Sequence, residues 1–521
     1  MNFRCTLFAC FALLLCISGC DTTKKITDKG SKDDGKIELI FLQINDVYEI
    51  APLPGDDVGG LARVATVRKE LLAENPNTFT VLSGDFLSPS LIGTLKYEGK
   101  RIRGKQMVDA LNAVGVDYIT FGNHEFDIRE SELLERLGET RSDWVSTNVL
   151  HNKNGELVPF QTIVNGQWTD IPEHLVKTVS DDDGTQINVG YFGITLPSNQ
   201  QDYVHYDDFT FKSVEAVGKL KSQTDLIVAI THVDIKDDLA IAGLLPDISL
   251  VMGGHDHDNM IHKVGNTIVA KADANAKTVY IHRVLYNKNS KVAIINSELK
   301  KIDNTLVEDP EVKAVVDKWV KIADDAFADE GFDQTQEVFF AREPLDGRES
   351  SIRNKSTNLG LLIAKAMTKS TDLATDCALF NSGSVRVDDQ LSGKVTQYDV
   401  LRTLPFGGGI LIVEMKPRLL KKLLEIGEGN KGTGGFLQRD RADYKLEGKQ
   451  WMINGEPLDF NRNYKVLLTD FLLTGLETNM GFLTPENPDI VNIIDPDENN
   501  EEDLRNDIRQ ALIHYLLSIN H

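Results

Sequence analysis

Cysteine is scarce. The 521-residue chain has five, and Cys5, Cys10, Cys16 and Cys20 all fall within its first twenty positions, leaving only Cys377 beyond them. No intramolecular disulfide can form in the body of the chain, so stability must come from packed cores and any bound metal. Positive charge is short as well: 56 Lys and Arg stand against 79 Asp and Glu, a formal charge of -23. A field of that sign repels a nucleic-acid backbone, which argues against nucleic-acid polymers as partners. Small anions remain possible, because bound cations reverse the local sign. A long apolar run is also missing, since the one in "MNFRCTLFACFALLLCISGC" stops at Ile17, short of the ~20 residues that cross a bilayer as a helix. No repeat or low-complexity tract stands out, and nothing implies an obligatory protein partner.

What the N-terminus does have is one arginine, an apolar stretch and small residues before Cys20, the layout of a signal peptide. "ISGC" resembles the lipobox of bacterial lipoproteins. The resemblance implies that residues 1–19 are removed and that Cys20 carries a lipid. The chain would then be anchored to a membrane outside the cytoplasm, on the periplasmic side or at the cell surface. A plain secretory signal cleaved nearby is the other reading. Residues 20–36 lack apolar periodicity and read as a flexible tether.

At this length two or three domains are expected. Residues 37–302 alternate apolar runs with helical stretches such as Leu61, Val64, Val67, Leu71 and Leu72. The runs are "KIELIFLQIND", "TFTVLSGD", "DYITFGNHE", "INVGYFGIT", "TDLIVAITHV" and "DISLVMGGHDH". Strand and helix in repetition predict an α/β layered domain with largely parallel strands. Residues 303–331 predict a linker helix capped by Asp309, opened by Pro310 and stopped at Gly331, with Val312, Val315, Val316, Trp319 and Val320 on one side. Residues 332–521 mix strands and helices, ending in an amphipathic helix through Leu504, Ile508, Leu512, Tyr515 and Leu516.

Five of the six runs in the first domain end in Asn, Asp or His, and ligands in such folds bind at the carboxyl ends of strands. The residues are Asn45 and Asp46, Asp85, Asn123 and His124, His232, and His255 with His257. In an extended segment His255 and His257 would share a face. A polar loop after a strand would read the same way, so the pair decides nothing alone. Together the set offers carboxylates, an amide and imidazoles without a thiolate, a mixture that suits Mn, Zn, Fe or Mg.

In order along the chain, "GD", "GNHEFD", "TH" and "GGHDH", with Gly59 and Gly60 before "LARVATVRK", resemble the calcineurin-like metallophosphoesterases, specifically their bacterial 5′-nucleotidase branch. In the second half, "STNLGLLIAKAM", "LFNSGSVR", "LPFGG", "GGFLQ" and "TDFLLTGLE" resemble that branch's nucleotide-recognition domain. The resemblance implies a four-layer β-sandwich flanked by helices, followed by a second, mixed α/β domain. It implies two divalent ions, Mn, Zn or similar, bridged by Asp85. Asp46 and His257 would hold one, and Asn123, His232 and His255 the other. His124 would act as proton donor or cationic stabiliser with Asp127 as its partner; a helix N-cap is the plainer role for Asp127. Lys355, Asn381, Gly383 and Arg386 would contact phosphate or ribose, Glu477 the ribose, and Phe436 with Phe471 would sandwich the base.

Tyr48 departs from the family, which generally has a metal-binding His at that position. Three readings follow: a phenolate on ferric iron, replacement by Glu49, or a weaker first site held by Asp46, Asp85 and His257. The third is favoured because every other ligand position is filled. Purple acid phosphatases use a tyrosine, but after "GD", where this chain has Phe86, Leu87 and Ser88. The expected activity is metal-dependent hydrolysis of 5′-nucleotides, nucleotide sugars or cyclic nucleotides for extracytoplasmic scavenging. The alternatives are thiosulfonate hydrolysis, as in the sulfur-oxidising branch, and a non-catalytic nucleotide-binding lipoprotein with a decayed first metal site.

Overall fold

The computed structural model of the chain describes residues 33–55, 57–198, 200–500 and 502–520. The signal segment and Cys20 lie outside the described residues.

Two six-stranded sheets build the first half. One runs in the order 292–301, 278–287, 36–44, 78–83, 118–120 and 143–144, the other 174–180, 186–195, 226–232, 250–253, 267–271 and 260–264. Strands 36–44, 78–83, 118–120 and 143–144 pair in parallel, as do 186–195, 226–232, 250–253 and 267–271; antiparallel strands close one edge of the first sheet and both edges of the second. The strand Lys36–Ile44 shows why the apolar run "LIFL" was needed. Ile37, Leu39 and Phe41 enter a core between the sheets with Val189, Tyr191, Val228 and Ile230. Ile40, Leu42 and Ile44 enter the opposite core with Leu61, Val64, Val108 and Leu111 of two covering helices. A strand buried on both faces requires apolar residues at consecutive positions. Helices Phe209–Leu220 and Ile235–Leu244 cover the outer face of the second sheet, which completes four layers.

The helix expected within 303–331 forms over Pro310–Asp329, and Asp309 caps it by accepting the N–H groups of Glu311 and Val312 at 3.2 Å. It is packed rather than free. Val312, Val316, Trp319, Ala323 and Phe327 are buried, and Trp319 Nε1 donates to Asp109 Oδ2 at 3.2 Å.

The second half carries a mixed five-stranded sheet in the order 437–440, 377–381, 464–469, 410–415 and 490–494. Its terminal helix is shorter than expected. Leu504 belongs to a separate turn, and the helix begins at Ile508 because Asp507 turns extended and caps it through Arg509 N–H. Among the described residues no helix is long and apolar enough to cross a membrane.

Candidate metal centre and substrate cleft

The strand ends bring the candidate ligands together. Asp46, Asp85 and Asn123 follow strands 36–44, 78–83 and 118–120, His232 closes 226–232, and His255 and His257 follow 250–253. The backbone does not continue extended, however. Asp46, Asp85, His255 and His257 have φ of 52°, 55°, 82° and 62°, so the two histidines are aimed by a left-handed loop and not by strand alternation. Asp and His tolerate this region better than most residues, and such strain concentrates at functional sites. The loop also approaches closely: a Cβ on Gly254 would sit 2.3 Å from the Ser83 carbonyl oxygen.

Asp46, Asp85 and His257 form one compact group whose ligand atoms all lie within 4.8 Å of one another. Asp46 Oδ1 is 3.4 Å from His257 Nε2 and 3.8 Å from His232 Nε2. Asp85 Oδ2 is 3.0 Å from His232 Nε2. The rings of His232 and His255 stand 5.4 Å apart. Nδ1 of His232 donates to the Ser83 carbonyl at 2.7 Å, which leaves Nε2 to face the carboxylates. Asn123 Oδ1 is buried without a hydrogen-bond partner, and His232 Nε2 is turned onto the Asp85 carboxylate. Buried polar atoms are normally satisfied, and an orphaned amide oxygen beside an imidazole nitrogen and two carboxylates fits a divalent ion. Burial and neighbouring His232 lower the pKa of His255 to about 4, whereas Asp85 and Asp46 overcome burial to raise that of His232 to about 9. Asp234, which the sequence pattern does not single out, lies 3.6 Å from His255 Nε2.

Tyr48 stands in the first group. Its hydroxyl is 3.1 Å from both Asp85 Oδ2 and His257 Nε2. Burial, then Asp85 and Asp46, push its pKa well above the usual phenol value, so the hydroxyl keeps its proton beside these carboxylates. The Glu49 reading is set aside, because that side chain turns away to accept a hydrogen bond from Tyr398 OH.

Beside this group, His124 Nδ1 meets Asp127 Oδ2 at 2.8 Å, and His124 N–H donates to Asp85 Oδ1 at 2.8 Å. Burial opposes a charge on His124, but Asp127 and Asp85 prevail and raise its pKa to about 10. Asp127 is therefore not a helix cap but an ion-pair partner. Glu125 holds the loops in place: its carboxylate accepts from the N–H groups of Asp85, Phe86, Leu87 and Gly122.

A cleft of about 450 Å³ opens over the centre, with His124, His255 and His257 on one wall and Arg348, Glu349 and Arg353 on the other. Arg353 was not foreseen as a cleft residue. Lys355, which was, is exposed outside it because the turn after Ile352 points it away. Asn381 Nδ2 donates to Glu477 at 2.8 Å, and Gly383 packs on Gly434. Phe471 is 41% exposed, but Phe436 is 1% exposed. The aromatic sandwich is thus not assembled: the Phe436 ring lies within the fold, and of the two rings only Phe471 offers a face to solvent.

Residues 39–259 match the family described as calcineurin-like phosphoesterase, and residues 338–483 match the 5′-nucleotidase, C-terminal domain. The chain is 26% identical over 506 residues to a 5′-nucleotidase of Bos taurus, across 84% of this chain and 83% of that one. The crystal structure of a 5′-nucleotidase precursor from Thermus thermophilus has a TM-score of 0.65 at 21% identity, over 93% of this chain and 97% of that chain. A sulfate thiohydrolase from the same organism gives 0.60 at 17% identity, over 89% and 81%. At these identities the two structures bear on fold alone.

Proposed function

We infer that the chain, which belongs to the 5′-nucleotidase family of calcineurin-like phosphoesterases, hydrolyses nucleoside 5′-monophosphates to nucleoside and phosphate outside the cytoplasm. The observation that carries this reading is the orphaned Asn123 Oδ1 and the His232 Nε2 turned onto the carboxylates, among Asp46, Asp85 and the His124 to Asp127 pair. A decayed centre would have no use for them.

Asp46, Asp85 and His257 would hold one divalent ion, and Asp85, Asn123, His232 and His255 a second. Such ions supply Lewis acidity at phosphoryl oxygens and acidify water. His124, kept cationic by Asp127, offers a proton or a positive charge where negative charge develops in the transition state. Arg348 and Arg353 line the cleft wall paired with Asp346 and Glu349, carboxylates that a bound phosphate would displace. Phe471 offers a stacking face worth about 1 to 3 kcal/mol that tolerates different bases, with Asn381, Gly383 and Glu477 near it for the ribose. In this reading residues 37–302 are catalytic, 303–331 link, and 332–521 recognise the nucleotide. Rotation of the second half would carry a bound nucleotide to the metals.

The test is phosphate release from 5′-AMP by chelator-stripped protein, followed by addition of manganese, zinc or cobalt. Release restored by metal is expected. Protein that binds AMP yet releases no phosphate with any metal would be a nucleotide-binding protein without this activity.

A further inference from the structure

One short segment of the second half, Arg386–Asp389, touches the first half at three points. Arg386 Nη2 reaches Asp127 Oδ2 at 2.5 Å. Asp389 Oδ2 binds Lys277 Nζ at 2.9 Å. Between them, the main-chain carbonyl of Asp388 lies 2.6 Å from Nδ1 of His257. Only Asp388 meets a candidate metal ligand, and its carboxylate Oδ2 also lies 3.6 Å from His257 Nε2.

A carbonyl oxygen can only accept, so Nδ1 of His257 carries the proton and Nε2 presents its lone pair to the Asp46 and Asp85 group. His232 is oriented in the same manner, but by the Ser83 carbonyl of its own half. His257 is oriented from across the interface. Asp388 is itself held in place, with a left-handed backbone at φ 37° and a side chain that accepts the Glu349 N–H at 2.6 Å. The dependence is greater here than at the second position. His257 is the one imidazole of its group, whereas His232 and His255 serve the other.

We propose that Asp388 is a positioning residue for His257, so that metal retention at the Asp46, Asp85 and His257 position and docking of the second half reinforce each other. The proposal rests on the metal-centre reading given above. By linkage, whatever factor docking adds to metal affinity, metal adds to docking. Partners that orient a ligating imidazole typically contribute 10- to 100-fold to metal affinity.

The experiment is calorimetric titration of manganese into the chelator-stripped full chain, for wild type, Asp388→Gly and Lys277→Ala. The first substitution removes the anchor, and with it a carboxylate 3.6 Å from His257 Nε2, while permitting the left-handed backbone; the second loosens docking at a distance from every ligand, so that only positioning predicts the same weakening in both. Wild type should show two classes of site. In each variant one class should weaken about tenfold while the other holds, and small-angle scattering of wild type should contract when manganese is added. Both classes unchanged in the two variants, or both weakened alike, overturns the proposal. Wild type that binds no manganese would refute the metal-centre reading itself.

Discussion

Arg386 and Asp127 meet across the two halves of the molecule at 2.5 Å, through the carboxylate oxygen that also holds Nδ1 of His124 at 2.8 Å. Burial works against a charge on Asp127, yet His124 and Arg386 overcome it and lower its pKa to about 2. One carboxylate thus serves two cations. An anionic substrate that drew Arg386 away would weaken one of the cations on Asp127 and leave its hold on His124, so substrate binding and activation of the imidazole share a residue.

Replacing His124 by Ala should lower kcat by roughly 10²- to 10⁴-fold, the usual contribution of a positioned acid or base. Metal content, measured by elemental analysis, should stay at the wild-type level, because the ligands are other residues. Loss of metal together with activity would assign His124 to the ligand set instead.

Tyr48→His should tighten the weaker manganese class, since a neutral imidazole replaces a phenol that keeps its proton beside Asp85 and Asp46. Calorimetry on the metal-free variant would read the gain. Unchanged affinity would mean that the imidazole cannot reach the ion from this backbone position.

Glu49, bonded to Tyr398 across the two halves, gives the protein a pH dependence of its own. Burial outweighs the Tyr398 hydrogen bond and raises its pKa from 4.5 to about 7. The folded state therefore binds the proton more tightly than the unfolded chain. This stabilisation is full below pH 4.5 and is lost as pH rises through about 7, an effect on the order of 3 kcal/mol. Glu49→Gln keeps an acceptor for Tyr398 and cannot ionise. Denaturant midpoints at about pH 5 and about pH 8 should converge in the variant relative to wild type; an identical pH profile would mean Glu49 ionises without cost.

Arg353→Ala should raise KM for 5′-AMP by about tenfold or more, as expected for a charge-assisted contact to phosphate, while Lys355→Ala should leave it nearly unchanged. Steady-state kinetics on the two variants decides between them, and the reverse order would restore Lys355 to the phosphate.

Much of this arrangement was legible in the chain itself. Strands such as 36–44 announced themselves because burial on two faces forces consecutive apolar residues, and Asp46, Asp85, His232 and His257 were visible as polar residues closing those runs. Other facts were out of reach for a physical reason. Lys355 and Arg353 are two positions apart, and which of them faces the cleft depends on a turn that sequence spacing does not encode. Phe436 carried the right ring, but that ring lies within the fold. Asp388 acts through its carbonyl, a group every residue has, so no side-chain pattern could reveal it.

The left-handed backbone at Asp46, Asp85, His255 and His257 has a consequence for transplantation. Copying the short motifs onto the strand ends of another scaffold would move the side chains without their bearings, since each is aimed by a conformation that its own sequence disfavours. The anchors of that conformation, Glu125 beneath four amides and Gly254 against Ser83, would have to travel as well. In that sense the smallest portable unit of this centre is a set of loops already wound, not a list of ligands.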